Sequence, residues 1–158
     1  MQQITPFLSF DKEAEKAARF YVSVFKNSKI LKITHYGEAG PGPKGAVMTV
    51  EFQLNGQPFV ALNGGPLFKF TEAISFAVSC PTQAEVDMFW TKLSRGGTKG
   101  PCGWLKDRYG LSWQVNPTIL AEMLADPDLE KANRVMKAML QMKKIDIKRL
   151  KEAYRGKA

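Results

Sequence analysis

Hydrophobic and polar positions in the first 66 residues predict a strand, a helix and three more strands. An apolar run at 4–10 predicts the first strand, and apolar residues at helical spacing follow Asp11, which occupies an N-cap position. Residues 29–36 alternate between two faces, one of which is predicted to be buried. The strands predicted at 46–54 and 57–63 flank Asn55-Gly56, a dipeptide typical of tight hairpin turns. The order of elements is therefore βαβββ.

The same order begins again at residue 73. Residues 73–79 predict a strand, and a helix opens at Pro81-Thr82 and runs to Leu93. Short strands follow at 98–103, 104–106 and 111–116. Each last strand begins with a glycine three residues before an aromatic residue, which suggests two copies of one module. Two such half-sheets, each with one apolar concave face, would close a cavity, the default ligand site.

Beyond residue 116 the pattern is helical. Asp128 and Asp146 occupy N-cap positions before two apolar stripes. The chain is therefore predicted to be an α+β protein. We expect a paired βαβββ domain at 1–116, with modules at 1–66 and 73–116, and a helical C-terminal extension at 117–158.

Composition limits the class of protein. The chain has 158 residues, 44% hydrophobic and 24% charged, which is ordinary for a globular domain. No apolar run approaches the roughly 20 residues that cross a bilayer, and the N-terminus does not have the pattern of a signal peptide. Two cysteines are too few for a disulfide framework. We expect a cytoplasmic protein with no membrane partner.

The net charge of +8 lies entirely in the tail. Residues 1–130 contain 13 Lys+Arg and 13 Asp+Glu, whereas 131–158 contain ten basic and two acidic residues. Such a segment either binds nucleic acid or an acidic partner, or it is a solvated helix face. No nucleic-acid motif and no interleaved aromatic residues accompany the charge, so nucleic acid is not the expected partner.

Five stretches in order resemble one family, the PhnB-like branch of the vicinal-oxygen-chelate (glyoxalase/bleomycin-resistance/dioxygenase) superfamily. They are 4–8 (ITPFL), 61–66 (ALNGGP), 68–76 (FKFTEAISF), 102–107 (CGWLKD) and 139–147 (MLQMKKIDI). The resemblance implies a glyoxalase-like domain of paired βαβββ modules and a homodimer. In many relatives it also implies a divalent metal that chelates vicinal oxygens of a substrate. Members of the branch are commonly labelled 3-demethylubiquinone-9 3-methyltransferase.

The metal that the resemblance implies lacks its ligands in this sequence. In metal-using relatives, histidines and carboxylates project from the first and last strands of each module. The four corresponding strands contain no His, Asp or Glu, and Gln114 stands where relatives often carry Glu after the last turn; its first-module counterpart is Val60. Neutral amides hold a divalent ion too weakly alone, so no metal and no cofactor are predicted. A weak site using His35 and Glu72 is the alternative.

The methyltransferase label also lacks support from the residues. Segment 37–45 has glycines, but Pro41 and Pro43 prevent the helix that follows a nucleotide-binding turn, and a hairpin comes next. The methyltransferase activity is therefore implied by the resemblance alone.

Candidate ligand-binding residues are polar or aromatic side chains on or beside the cavity strands. The polar side chains among them are those of Asn63, Ser75 and Gln114, which have apolar neighbours in sequence and would need a hydrogen-bonding partner such as a ligand. The alternative is that Asn63 is a turn residue and that the other two are satisfied within the core. Trp104 and Trp113 would form a flat apolar wall, or else pack in the core.

Three titratable side chains complete the set of candidates. Glu72 could act as a general base or a cap, or form a salt bridge. Cys102 could be a nucleophile, although a buried inert thiol is the alternative. His35 could titrate near neutrality, or lie exposed on its strand. No catalytic residue is assigned.

Three functions therefore compete. The first is a metal-free protein that binds a small aromatic or quinone-like ligand. The second is an enzyme, either a methyltransferase as the label says or a metal-dependent lyase or dioxygenase. The third is an interaction protein that uses its basic tail. The residues favour the first.

Overall fold

The fold is taken from a computed structural model, which describes residues 2–157. Met1 and Ala158, the outer bounds of the predicted domains, lie outside the described residues. The chain forms two compact units, one ending at Lys69 and the other beginning at Phe70. Each unit has a four-stranded mixed sheet with helices, which confirms the α+β class and the two βαβββ modules.

The first unit contains one helix and one sheet. The elements are β1 (Phe7–Phe10), α1 (Ala14–Val24), β2 (Lys29–His35), β3 (Val47–Leu54) and β4 (Gln57–Asn63). The sheet order is β1-β4-β3-β2, with β1 parallel to β4 and the other pairs antiparallel.

The core of the first unit lies between α1 and the sheet. Tyr21 on α1 stacks on Phe52, which in turn stacks on its cross-strand partner Phe59, with ring centroids 6.3 and 5.5 Å apart. The turn at Asn55-Gly56 has φ of 47° and 82°, the left-handed pair that a tight hairpin requires. The hairpin prediction is confirmed.

Three local predictions for the first unit are wrong. The first strand begins at Phe7 rather than at residue 4. The N-cap of α1 is Glu13 rather than Asp11, because the chain bends at residues 11 and 12 before the helix starts. No residue of β2 is buried, because shifts in its pairing with β3, between Ile30 and Lys32 and between Thr34 and His35, interrupt the alternation of the two faces.

The second unit repeats the arrangement. Its elements are β5 (Ser75–Cys80), α2 (Gln83–Ser94), β6 (Thr98–Lys99), β7 (Trp104–Lys106) and β8 (Ser112–Pro117). The sheet order is β5-β8-β7-β6, with β5 parallel to β8. The two sheets share one strand order, so the predicted repeat is confirmed.

Several bounds in this unit differ from prediction, including those of β5, β6 and β8, and one cap agrees with it. β5 starts two residues later than predicted, and β6 ends at Lys99 because Pro101 and the left-handed Cys102 and Gly103 follow. The predicted start of α2 is confirmed by a capping box, in which Thr82 accepts from the Glu85 N–H and the Glu85 carboxylate accepts from the Thr82 N–H.

Three helices follow β8 and belong to the second unit. They are α3 (Thr118–Leu124), α4 (Leu129–Leu140) and α5 (Ile147–Tyr154). The predicted caps are confirmed, because Asp128 and Asp146 accept hydrogen bonds from backbone N–H groups of α4 and α5. Their shared core is formed by Leu120, Met123, Val135, Met142, Ile145 and Leu150. In the described part of the chain, no helix has the length and apolar character needed to span a membrane.

Candidate functional site

A cavity of about 580 Å³ lies on the second unit. Three of its lining side chains, those of Trp104, Lys106 and Ser112, come from the sheet face opposite to α2. Lys106 pairs with Ser112 and Trp104 pairs with Gln114, while the pair between them, Leu105 and Trp113, points to the other face. The lining residues are Glu72, Thr98, Gly100, Pro101, Cys102, Trp104, Leu105, Lys106 and Ser112. The wall is therefore largely apolar, with a few polar groups.

Ser112 is the most unusual polar group of this wall. It is fully buried, and its hydroxyl is the one buried side-chain polar atom among the described residues that has no hydrogen-bond partner. Its neighbours across the sheet are Ser75 on β5 and Lys106 on β7. Leaving a buried hydroxyl unpaired costs about 1–3 kcal/mol. Ser112 has no exposed surface, so its hydroxyl is enclosed by its neighbours and is not open to the cavity.

Lys106 forms an ion pair with Glu72 at the cavity. The hydrogen bond from Lys106 lowers the pKa of Glu72. The two side chains are 40% and 62% exposed, and an ion pair this exposed adds little stability. Of the three roles considered for Glu72, which are a general base, a cap and a salt bridge, the structure contains the salt bridge.

Ser75 and Gln114 lie on the same sheet face as Ser112 and contact each other. The Gln114 Nε2 donates to the Ser75 Oγ at 2.9 Å, and the Gln114 Oε1 accepts from the Asn116 Nδ2 at 3.4 Å. The predicted pair is thus brought together, beside rather than within the lining of the cavity.

The two tryptophans lie on opposite faces of the sheet. Trp104 lines the cavity. Trp113 is buried with the apolar residues on the other face, and its indole Nε1 donates to the Asp107 carboxylate at 2.9 Å. The same carboxylate accepts from the backbone N–H groups of Tyr109 and Leu111, so Trp113 is fixed by the turn before β8.

Cys102 forms part of the cavity wall in a conformation that the tail holds. Cys102 and Gly103 have φ of 54° and 80°, and a Cβ at Gly103 would approach the Val115 carbonyl oxygen to 2.8 Å. The N–H groups of Cys102 and Gly103 donate to the carbonyls of Met142 and Lys143 at 2.8 and 2.7 Å. The connection between α4 and α5 therefore shapes this wall.

Gln83 fastens the same connection to α2. Its Nε2 donates to the Ile145 carbonyl at 3.1 Å, and its Oε1 accepts from the Ile147 N–H at 2.8 Å. Lys144 adds an ion pair with Asp87 at 2.5 Å. The C-terminal extension is thereby joined both to α2 and to the cavity wall.

Asn63 and His35 belong to the first unit and not to this cavity. The Asn63 Oδ1 accepts from the Ala14 N–H at 2.9 Å, and its Nδ2 donates to the Val47 carbonyl at 3.0 Å. Asn63 thus supplies the cap for α1 that no side chain near the helix start provides. His35 is exposed at the end of the edge strand β2.

Comparison with known proteins identifies the family. The family model described as 3-demethylubiquinone-9 3-methyltransferase matches residues 2–116. The chain belongs to this family. The PhnB-like resemblance is confirmed. No curated protein matches the chain.

Solved structures agree with this assignment. A PhnB protein from Bacillus cereus, described as a candidate 3-demethylubiquinone-9 3-methyltransferase, is 40% identical, with 74% of this chain and all of that chain covered at a TM-score of 0.66. Protein PA1353 from Pseudomonas aeruginosa is 20% identical over 74% and 98% of the two chains, with a TM-score of 0.62. The fosfomycin resistance protein FosX from Mesorhizobium loti is 14% identical over 79% and 98%, with a TM-score of 0.58. The last two support the fold alone.

The residues of this PhnB-like chain do not fit the divalent metal that the resemblance implies. No group of three or more His, Cys, Asp or Glu that could hold an ion occurs within residues 2–157. Of the strands β1, β4, β5 and β8, only β5 carries a donor of this kind, Cys80, and burial raises the pKa of this thiol to about 11. His35 and Glu72 lie in separate units, with Glu72 paired to Lys106. No step is therefore assigned to a metal.

The described residues do not fit a methyl donor of the common kind either. Both sheets are mixed, whereas that cofactor binds on a parallel sheet. The glycine-rich segment 37–45 leads into the strand β3 and not into a helix. It packs against Tyr36, since a Cβ at Gly40 or Gly42 would collide with the Tyr36 ring. The Tyr36 hydroxyl donates to the Asn63 carbonyl at 2.6 Å, which anchors that ring within the first unit.

Sequence reasoning did not identify Lys106 and Ser112 as site residues. The available signal was the alternation of β8, because Ser112 must share a face with Gln114 while Trp113 points away. Lys106 enters only through the pairing of β7 with β8, which no local pattern specifies.

Proposed function

We propose that this PhnB-like protein binds a small aromatic or quinone-like molecule in the cavity of its second unit, without a metal ion. The composition of the cavity wall carries the proposal, because the wall is mainly apolar, includes Trp104 and has few polar groups. A volume of about 580 Å³ lies within the range typical of small-molecule sites.

The chemistry of the wall favours a flat ligand with a hydrogen-bonding oxygen. Trp104 offers aromatic surface, and Pro101 adds apolar surface. A carbonyl oxygen of the ligand would accept a hydrogen bond from the Lys106 ammonium, which is 40% exposed and lines the same cavity. An aromatic ring with one such oxygen meets both requirements.

Metal analysis combined with calorimetry tests the proposal. The protein is purified without chelator, its metal content is measured, and it is titrated with duroquinone, a fully methylated benzoquinone that resists addition of thiols. We expect saturable heat with duroquinone, metal far below one ion per chain, and no heat with S-adenosylmethionine. Binding of S-adenosylmethionine alone would support the methyltransferase of the family label instead, and stoichiometric metal would support a metal-dependent lyase or dioxygenase.

A matched pair of variants locates the site. Lys106→Gln should weaken duroquinone binding about five- to tenfold, since one hydrogen bond contributes about 1 kcal/mol. Lys99→Gln changes an exposed lysine on β6 outside the lining of the cavity and should leave binding unchanged. If both substitutions changed the dissociation constant equally, the ligand would not bind in this cavity.

We also propose the homodimer that the family resemblance implies. Large apolar side chains in the segment between β4 and β5 are exposed, including Leu67, Phe68 (66%) and Ile74. Such a patch is typical of a subunit contact. Light scattering should give twice the chain mass, and Phe68→Ser should shift the protein toward the monomer; a monomeric native protein would refute the dimer. The cytoplasmic location stays a prediction.

A further inference from the structure

We propose that a groove between α4 and α5, separate from the cavity lined by Trp104, binds a compact polyvalent anion, a di- or triphosphate group. The groove has a volume of about 480 Å³ and shares no lining residue with that cavity. It is termed the tail groove. The inference goes beyond the proposed function and does not depend on it.

Small side chains leave room between the two helices. Ala138 on α4 and Ala153 on α5 both line the tail groove. The other lining residues of each helix lie three or four positions from these alanines or from one another, so each helix contributes one face. All of the longer side chains in the lining are polar or charged. The result is a concave site with a polar wall.

The lining carries an excess of positive charge. Its charged members are Arg134, Lys137, Arg149, Lys157 and Glu152. Four positive charges less one negative charge leave a net charge of +3. The side chains of Lys137, Arg149 and Lys157 are exposed, and none of them forms an ion pair with another of the residues 2–157. These three cations are therefore available to a ligand.

Arg134 is the cation that the fold itself holds in place. It is half-buried, and its Nε and Nη2 donate to the carbonyls of Ala153 and Tyr154, each at 2.9 Å. A guanidinium has five N–H donors, so three remain for a ligand. Because the group is positioned before binding, it loses little conformational entropy when it binds an oxyanion.

The ligand needs several charges because each exposed contact is weak. An exposed ion pair contributes little on its own, whereas a network of charges contributes more. A single carboxylate would leave most of the excess charge in the groove unpaired. A di- or triphosphate presents several anionic oxygens close together, and arginines such as Arg134 and Arg149 bind phosphate through parallel hydrogen bonds.

A nucleic acid fits the tail groove less well. Among the described residues, the lining contains no aromatic side chain on which a base could stack. A duplex is held by cations that follow its row of phosphates, whereas these cations surround one recess of about 480 Å³. A short run of linked phosphates is the anion that matches such a recess.

Calorimetric titration of the whole chain with sodium phosphate, pyrophosphate and triphosphate tests the proposal. A salt concentration of about 0.15 M screens weak long-range attraction to the basic tail. We expect triphosphate to bind at least about tenfold more tightly than phosphate, with pyrophosphate between them, because each added phosphate makes further charge-assisted contacts. ATP, titrated in parallel, identifies the source of the group: tighter binding than triphosphate indicates a nucleotide, and weaker binding indicates free polyphosphate.

Substitutions in and beside the groove make the test specific. Arg149→Gln should weaken triphosphate binding at least about fivefold, and Glu152→Gln should tighten it several-fold by removing a repelling carboxylate. Ala138→Leu should weaken binding without any change of charge, because the larger side chain fills the groove. Lys151→Gln is the matched control for charge, since Lys151 is exposed on α5 outside the lining, and it should change the dissociation constant less than about twofold. Thermal melting verifies that each variant is folded.

Three results would overturn the proposal. Equal weakening by Arg149→Gln and Lys151→Gln would mean that binding follows the net charge of the tail and not the groove. Equal affinity for phosphate and triphosphate would refute the polyvalent ligand. Binding of a duplex DNA oligonucleotide in place of triphosphate would make the tail a nucleic-acid surface.

Discussion

Replacing Gln83 with alanine should destabilise the protein by about 2–3 kcal/mol. Gln83 bonds to two backbone groups of the connection between α4 and α5, the carbonyl of Ile145 and the N–H of Ile147. A net hydrogen bond contributes about 0.5–1.5 kcal/mol, and a buried partner left unpaired costs about 1–3 kcal/mol. Ile145 is fully buried, whereas Ile147 is half-buried and accessible to water, so the expected loss lies below the sum of the upper limits.

Equilibrium unfolding in urea, followed by circular dichroism, measures this loss. Alanine is the best helix former, so the substitution at the first residue of α2 adds no cost in helix propensity. The matched control is Gln57→Ala, because Gln57 is exposed and its side chain donates only to the adjacent Pro58 carbonyl. We expect the control to change the free energy of unfolding by less than about 0.5 kcal/mol.

Equal stability of the two variants would refute this reasoning. It would mean that the tail connection is held without Gln83. The inferred support of Cys102 and Gly103 by the same connection would then lose its anchor on α2. A large loss for Gln83→Ala alone would establish that the C-terminal extension is part of the second unit's structure.

Three further predictions follow from buried contacts. Asn63→Ala should cost about 1–3 kcal/mol in urea unfolding, since it leaves the Ala14 N–H and the Val47 carbonyl without their partner; no change would contradict that. Leu150→Ala, in the core of the tail helices, should cost about 2–5 kcal/mol by the same assay, and a loss below about 1 kcal/mol would contradict the close packing of that core. Near pH 8 a thiol reagent should leave Cys80 unmodified in the folded protein, because burial raises its pKa to about 11; rapid labelling would contradict the burial.

Local sequence patterns predicted most elements because local chemistry determines them. The turn at Asn55-Gly56 needs two left-handed residues, which this dipeptide supplies at low cost. Asp128 and Asp146 cap the helices that begin directly after them. The repeat was predicted from the order of helices and strands along the chain, and the two sheets have the same strand order.

The misses share a different cause, which is contact between distant residues. Asp11 is a good capping residue, yet α1 receives its cap from Asn63, 49 residues beyond Ala14. The start of β1 at Phe7 likewise depends on its pairing with β4. Local propensity does not contain these partners.

The candidate site was predicted only in part, because it too depends on contacts between residues that are distant in sequence. Glu72, Cys102 and Trp104 do line one cavity. Gln114 and Trp113 are neighbours on one strand and must face opposite sides, so alternation alone could have separated them. The pairing of Lys106 with Ser112 required the register of β7 and β8.

Amide and indole NMR spectra of chelator-treated protein, titrated with duroquinone, test the central claim most directly. The account predicts saturable shifts at the indole of Trp104 and at the amides of Gly100 and Ser112, with the indole of Trp113 much less affected and no change when divalent ions are added. Shifts that arise only after a divalent ion is supplied, or that fall outside the second-unit cavity, would contradict it.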